Sequence, residues 1–232
     1  MTSTDIPLSI QTPISRHPFL TVDSNKIASS DTPYTQTPSK SPVFKVDFTW
    51  KKWQALVSDA NNPGSDPLYT IHFPFSFGTS MVFKKAPNEE VIGTGKLNLV
   101  SINAEYELHG QKAHLLAQKR FRIVYTHRSL NFSDTESPVT MTWTSDAGFT
   151  NWDFVCVDEQ QMPVAKFTAN CWGITKIGKI EFSGPKADDR AMQEEIMVTG
   201  ITLFYCMILR CNNVFNLFGA IFARPGRKQH IE

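Results

Sequence analysis

Lys119-Arg120-Phe121-Arg122 places three cationic side chains within four positions. On an extended strand Arg120 and Arg122 would share one face, about 6–7 Å apart, with Phe121 and Ile123 on the other. Each guanidinium can donate two parallel hydrogen bonds, which suits a polyphosphate. A solvated outer strand face uses the same residues. Lysines at 84, 85, 96, 112, 176 and 179 read as solubilising positions. His72, His109, His114 and His127 read as outward-facing or turn residues, and no HExxH, GxSxG or adjacent Cys/His pair accompanies them. His109 and His114 flank Gly110 without a third ligand, so a hairpin tip is expected there and no metal site. The cysteines at 156, 171, 206 and 211 show neither CxxC nor zinc spacing and read as packing residues of a reducing compartment. No GxGxxG or GxxxxGK[ST] loop occurs. No catalytic residue and no cofactor is expected. Thr12, Thr32, Thr37 and Ser41 each precede a proline and fit proline-directed phosphorylation, although such pairs are also common in polar tails.

These residues sit in a chain of 232 with 23 Lys+Arg, 22 Asp+Glu and a net charge of +1. That balance argues against a protein that coats nucleic acid. Composition shifts along the chain. In residues 1–42, six prolines and fifteen Ser/Thr make up half the positions, and three positive charges cancel three negative ones. Such a segment buries too little to offset its ordering entropy, so a disordered tail is expected. From Val43 to about Phe182 the apolar residues recur at every second position, as in Tyr69/Ile71/Phe73, Ala104/Tyr106/Leu108, Phe121/Ile123/Tyr125 and Val139/Met141/Trp143. About a dozen short strands separated by turn residues predict an antiparallel barrel or sandwich. Trp50 and Trp53 with Lys51 and Lys52 suit either a membrane interface or a closing strand with buried rings.

The rhythm then breaks. Ile196 to Ala223 carries Arg210 as its single charge, and Ile196, Val198, Ile201, Leu203, Phe204, Met207 and Leu209 leave no polar stripe. A helix apolar on every side must be enclosed. A bilayer is one enclosure, but Ile196 to Leu209 falls short of the roughly 20 residues that span it. Extension takes in Arg210, at about 2.5–3.5 kcal/mol near a helix centre. The other enclosure is the protein itself. A barrel of about twelve strands has a lumen too wide for its own side chains, and one all-round apolar helix would fill it.

This combination resembles the tubby C-terminal-like superfamily, and in particular its fungal branch, whose relatives include LURP-one-related proteins and phospholipid scramblases. The resemblance is carried by Trp152-Asp-Phe-Val-Cys-Val-Asp158 followed by Pro163-Val-Ala-Lys-Phe167, and by VTGITLFYCMILRCNN from Val198 to Asn213. It covers residues 43 to 223, with the polar tail outside. It implies a mainly β domain over 43–232, a closed antiparallel barrel around a buried C-terminal helix at 193–211. In tubby proteins such a domain holds phosphoinositide headgroups at the inner membrane surface through basic side chains, with a Lys-x-Arg pair prominent. Lys119, Arg120 and Arg122 are the nearest match here. The expected function is thus a non-enzymatic binding or adaptor module, monomeric and cytoplasmic, peripheral at the plasma membrane, with anionic membrane lipid and not nucleic acid as partner. The second reading is a tail-anchored protein with a cytosolic β domain and a transmembrane helix over 196–222.

Overall fold

The computed structural model of the chain describes residues 41–49, 52–73, 80–98, 101–119, 122–147, 151–170 and 176–212. Twelve strands and one helix follow in chain order. They are β1 (Val43–Thr49), β2 (Gln54–Asp59), β3 (Tyr69–His72), β4 (Ser80–Lys85), β5 (Val91–Leu97) and β6 (Ala104–Leu108), then β7 (Gln111–Ala117), β8 (Ile123–Ser129), β9 (Val139–Ala147), β10 (Asn151–Val157), β11 (Pro163–Asn170), β12 (Lys176–Phe182) and α1 (Arg190–Asn212). Each strand pairs antiparallel with its sequence neighbour, and β12 returns to β1 to close the barrel. Val46 shows the closure: it stands opposite Val57 of β2 on one side and Gly178 of β12 on the other.

The period-two pattern is what builds this wall. Phe44 and Val46 of β1, Met81 and Phe83 of β4, Met141 and Trp143 of β9, and Phe154 and Cys156 of β10 are buried, while the residues between them stay partly exposed. Because side chains alternate across a strand, one face lines the lumen and the other meets solvent.

Eight strands make a barrel that its own side chains just fill, so twelve leave a wider lumen. Helix α1 occupies it. Every residue from Met192 to Phe204 is buried. Asp189 starts the helix: its Oδ1 accepts from the amides of Ala191 (2.8 Å) and Met192 (3.3 Å), two donors that lack partners within the first turn. Where helix meets wall the fit is close. A Cβ on Gly95 of β5 would collide with the Thr202 hydroxyl, and one on Gly200 would lie 3.0 Å from the Trp143 ring. The indole N–H of Trp143 donates to Thr199 Oγ1 (3.1 Å), which in turn donates to the Glu195 carbonyl (2.8 Å). Around Phe204 the rings of Trp152, Phe154 and Phe167 pack edge-on, with centroids 5.5–6.3 Å away.

The expected barrel around a buried helix is therefore the observed architecture. The helix begins at Arg190 and ends at Asn212, a residue or more beyond the expected 193–211 at each end. It is long and apolar enough to cross a membrane, yet 83% of its apolar window is buried in the barrel. A membrane span over 196–222 would require Ile196 to Met207 to leave that lining. One placement differs from expectation. His127, read as outward, is inside, with a side chain 0% exposed. It shares the phase of Tyr125 and Ser129, both buried, and the inward phase of β8 decides its position. Residues 1–40 of the expected tail lie outside the described residues.

Candidate functional site at the two barrel ends

In an antiparallel barrel whose strands follow sequence order, successive connections alternate between the two ends. The connections after β1, β3, β5, β7, β9 and β11 join strand ends beside the C-terminus of α1. Those after β2, β4, β6, β8, β10 and β12 join strand ends beside its N-terminus. In sequence the two sets differ in charge. The first set contains Lys51, Lys52, Lys119, Arg120 and Arg122 and no Asp or Glu; the second contains Asp66, Glu89, Glu90, Asp134, Glu136, Asp158, Glu159, Asp188 and Asp189 against Lys186 alone.

At the cationic end, Lys119 and Arg122 belong to the connection from β7 to β8 and are exposed. The Gln118 amide donates to the Val124 carbonyl (2.8 Å), and the Val124 amide donates to the Arg122 carbonyl (3.0 Å), which tightens this hairpin. Arg122 thus stands one residue before β8 and not on the strand face expected of it. The β7–β8 ladder is short, joining Leu116 to Thr126 and Ala117 to Tyr125, so the chain leaves regular pairing before the basic residues. Arg120 lies outside the described residues, as do Trp50 and Lys51. Neither Lys119 nor Arg122 forms an ion pair among the described residues.

Most other surface lysines are committed. Lys84 and Lys85 pair with Glu89 and Glu90 at 2.9 and 3.1 Å, Lys166 with Asp153 at 3.0 Å and Lys179 with Glu181 at 2.8 Å. Hydrogen bonds from Lys84 and Lys85 hold the Glu89 and Glu90 carboxyls below their ordinary range. Lys52 also acts on Glu89 through its charge.

Aromatic rings accompany the cations. Trp53, Phe48, Phe73 and Tyr205 form a line, in that order, from the β1–β2 connection to the last turns of α1, with successive centroid separations of 6.2, 5.7 and 5.3 Å. Deeper in, Arg210 donates to the Tyr125 hydroxyl (2.6 Å), which donates to the Ile102 carbonyl (2.8 Å). The one charge of the apolar run is thus tied to the wall where the helix leaves the lumen.

Sequence reasoning missed a polar cluster at the opposite end. Glu194 and Glu195, on the second turn of α1, are each 3% exposed. Glu194 accepts from the Tyr69 hydroxyl (2.7 Å) and meets His109 Nε2 (2.8 Å), with Arg190 Nε 3.8 Å away. Glu195 accepts from Ser129 Oγ (2.9 Å) and Asn131 Nδ2 (2.7 Å) and meets His127 Nε2 at 3.1 Å. Burial, with the Glu194 hydrogen bond, pushes the Tyr69 hydroxyl well above its ordinary pKa, and burial beside Glu195 does the same to Tyr106. Buried carboxylates need such partners. The signal available in sequence was the phase of His127 and Ser129 with Tyr125.

His109, expected in a turn, is there at φ 49°, but its ring serves Glu194. His114 lines an outer groove of about 280 Å³ with Lys96, Glu105 and Lys112. Among the described residues no three His, Cys, Asp or Glu side chains gather as a metal site. Cys156 and Cys206 are buried free thiols, pushed up by burial, Cys206 to about 11. Ser41 is exposed, and its carbonyl accepts from Asn61 Nδ2 (3.0 Å). Thr12, Thr32 and Thr37 lie outside the described residues.

Together these features define a class: a helix-filled antiparallel barrel, closed on itself, with one cationic, aromatic end and one acidic end. Comparison of the chain with protein-family models, curated proteins and solved structures finds no match.

Proposed function

We propose that this protein is a non-enzymatic module that binds anionic membrane lipid, phosphoinositide foremost, with the cationic end of the barrel against the cytosolic membrane face. The observation that carries this reading is the division of charge between the two sets of connections: among the described residues one set holds Lys52, Lys119 and Arg122 without an acid, and the other holds nine acids with one lysine. A molecule so polarised turns its cationic end toward a negative surface even though its net charge is +1. Helix α1 fills the lumen, so a ligand must meet the outside of the barrel. Lys119 and Arg122 offer charges not already spent on neighbouring acids. The tubby-like resemblance, with its enclosed helix and basic headgroup site, supports the same reading, and membership of that superfamily is part of the proposal.

Each basic residue near an anionic membrane surface contributes about 1 kcal/mol. Reversing both charges in Lys119→Glu plus Arg122→Glu is therefore expected to weaken cosedimentation with phosphatidylcholine vesicles containing phosphatidylinositol bisphosphate by tenfold or more. Soluble inositol polyphosphate serves as a competitor that separates headgroup recognition from attraction to a charged surface. Unchanged vesicle binding by the double variant would remove this connection from the site.

A further inference from the structure

We propose that the same end also inserts aromatic side chains into the interfacial layer of the bilayer, with Trp53 as the anchor and the barrel standing end-on to the membrane. This rests on the lipid-binding reading above and adds an apolar contact to it. Trp53 is 39% exposed, although its indole is one of the largest apolar groups in the chain. Its backbone lies at φ 48°, a region costly for a bulky residue, and the Phe73 amide donates to its carbonyl (3.0 Å). Behind it the rings of Phe48, Phe73 and Tyr205 continue to the helix, so the indole rests on an aromatic base rather than on a loop alone. Trp and Tyr favour the membrane–water interface because each joins an apolar ring to a polar N–H or O–H.

Two further observations single out a bilayer as occupant. The first is charge complementarity: Lys119 and Arg122 stand at the same end, and no acid occurs in any of the six connections there. The second is composition. Among the described residues those connections hold Trp53 and Phe73, in ring contact with Phe48 and Tyr205, while the six at the opposite end hold Phe132 alone. Among the described residues the other exposed large apolar side chains, Val91, Leu130 and Met162, are single aliphatic groups at the acidic end, which a negative surface repels.

Tryptophan fluorescence of the full chain tests this with phosphatidylcholine vesicles, with and without phosphatidylinositol bisphosphate, whose acyl chains carry bromine near the headgroup. Bromine quenches an indole only at close range. The expected result is quenching on binding to anionic vesicles, with a component absent from Trp53→Phe. Binding to the anionic vesicles with no quenching that depends on Trp53 would overturn insertion and leave the headgroup reading in place. Equal binding and quenching with neutral vesicles would overturn the headgroup reading and support insertion. Absence of binding to either vesicle would overturn both.

Discussion

Glu195 and His127 occupy a position where hydrophobic patterning and polarity conflict, and the outcome is specific to the partners that surround them. The carboxylate makes three hydrogen-bonding contacts within the barrel, to His127, Ser129 and Asn131. Removing one member of a buried ionic or hydrogen-bonded group leaves the others without partners, at roughly 3–5 kcal/mol. Glu195→Ala is expected to lower the unfolding free energy by that amount, read as a fall in the urea midpoint, because it orphans three groups from β8 and its following connection. Ser129→Ala should cost less, about 1–3 kcal/mol, because it removes two hydrogen bonds, the one donated to Glu195 and the one accepted from the Phe132 amide (3.1 Å). Equal losses in the two variants would mean that Glu195 is held by packing and not by its partners. None of this was legible in the residues taken singly. His127 and Glu195 are 68 positions apart, and only barrel closure around the helix brings them together. His127, expected outward or in a turn, continues the inward phase of Tyr125, and that phase decides its place.

Helix α1 was the most legible element, because a segment with no polar stripe has to be enclosed and a large barrel has room for it. Its enclosure has an alkaline consequence. Burial raises the Cys206 thiol from an ordinary 9.0 to about 11, with Arg210 opposing in part. The unfolded chain therefore gives up this proton at lower pH than the folded one. The thiol's contribution is fully present below pH 9 and is lost as pH rises through the interval to about 11. At about 1.4 kcal/mol per unit, the loss is on the order of 2 kcal/mol at the upper limit. Urea midpoints measured from pH 8 upward should fall across that window, and fall less steeply in Cys206→Ala. Parallel declines would assign the effect to other buried groups such as Tyr69, Tyr106 and Tyr125, whose hydroxyls burial also pushes up. The boundaries of the helix were less legible than its existence, since the Asp189 cap sits in a polar turn several residues before the apolar run begins.

At the scale of the whole molecule the informative quantity is not net charge but its separation along the barrel, and this could not be read before the strands were counted. Connections alternate between ends, so one strand more or fewer would exchange the ends of every later loop. An expectation of about a dozen strands leaves that parity open, whereas twelve assigned strands settle it. The separation predicts that membrane binding is one-ended. Asp66, Glu136 and Asp188 are exposed, form no ion pair among the described residues and belong to the acidic end. Changing them together to lysine should cost little at Asp66 and Glu136, within about 0.5 kcal/mol each, and up to about 1 kcal/mol at Asp188, which precedes the Asp189 cap at the positive end of α1. The change takes the connections at that end from nine acids and one lysine to six acids and four lysines, so the end stays net negative. If the contact is one-ended, the native chain and the triple variant bind phosphoinositide vesicles alike in cosedimentation, because salt screens the far end of the barrel from the membrane. Markedly tighter binding by a folded triple variant would show that the acidic end also approaches the membrane, and Lys119 and Arg122 would then lose their claim to direct the contact.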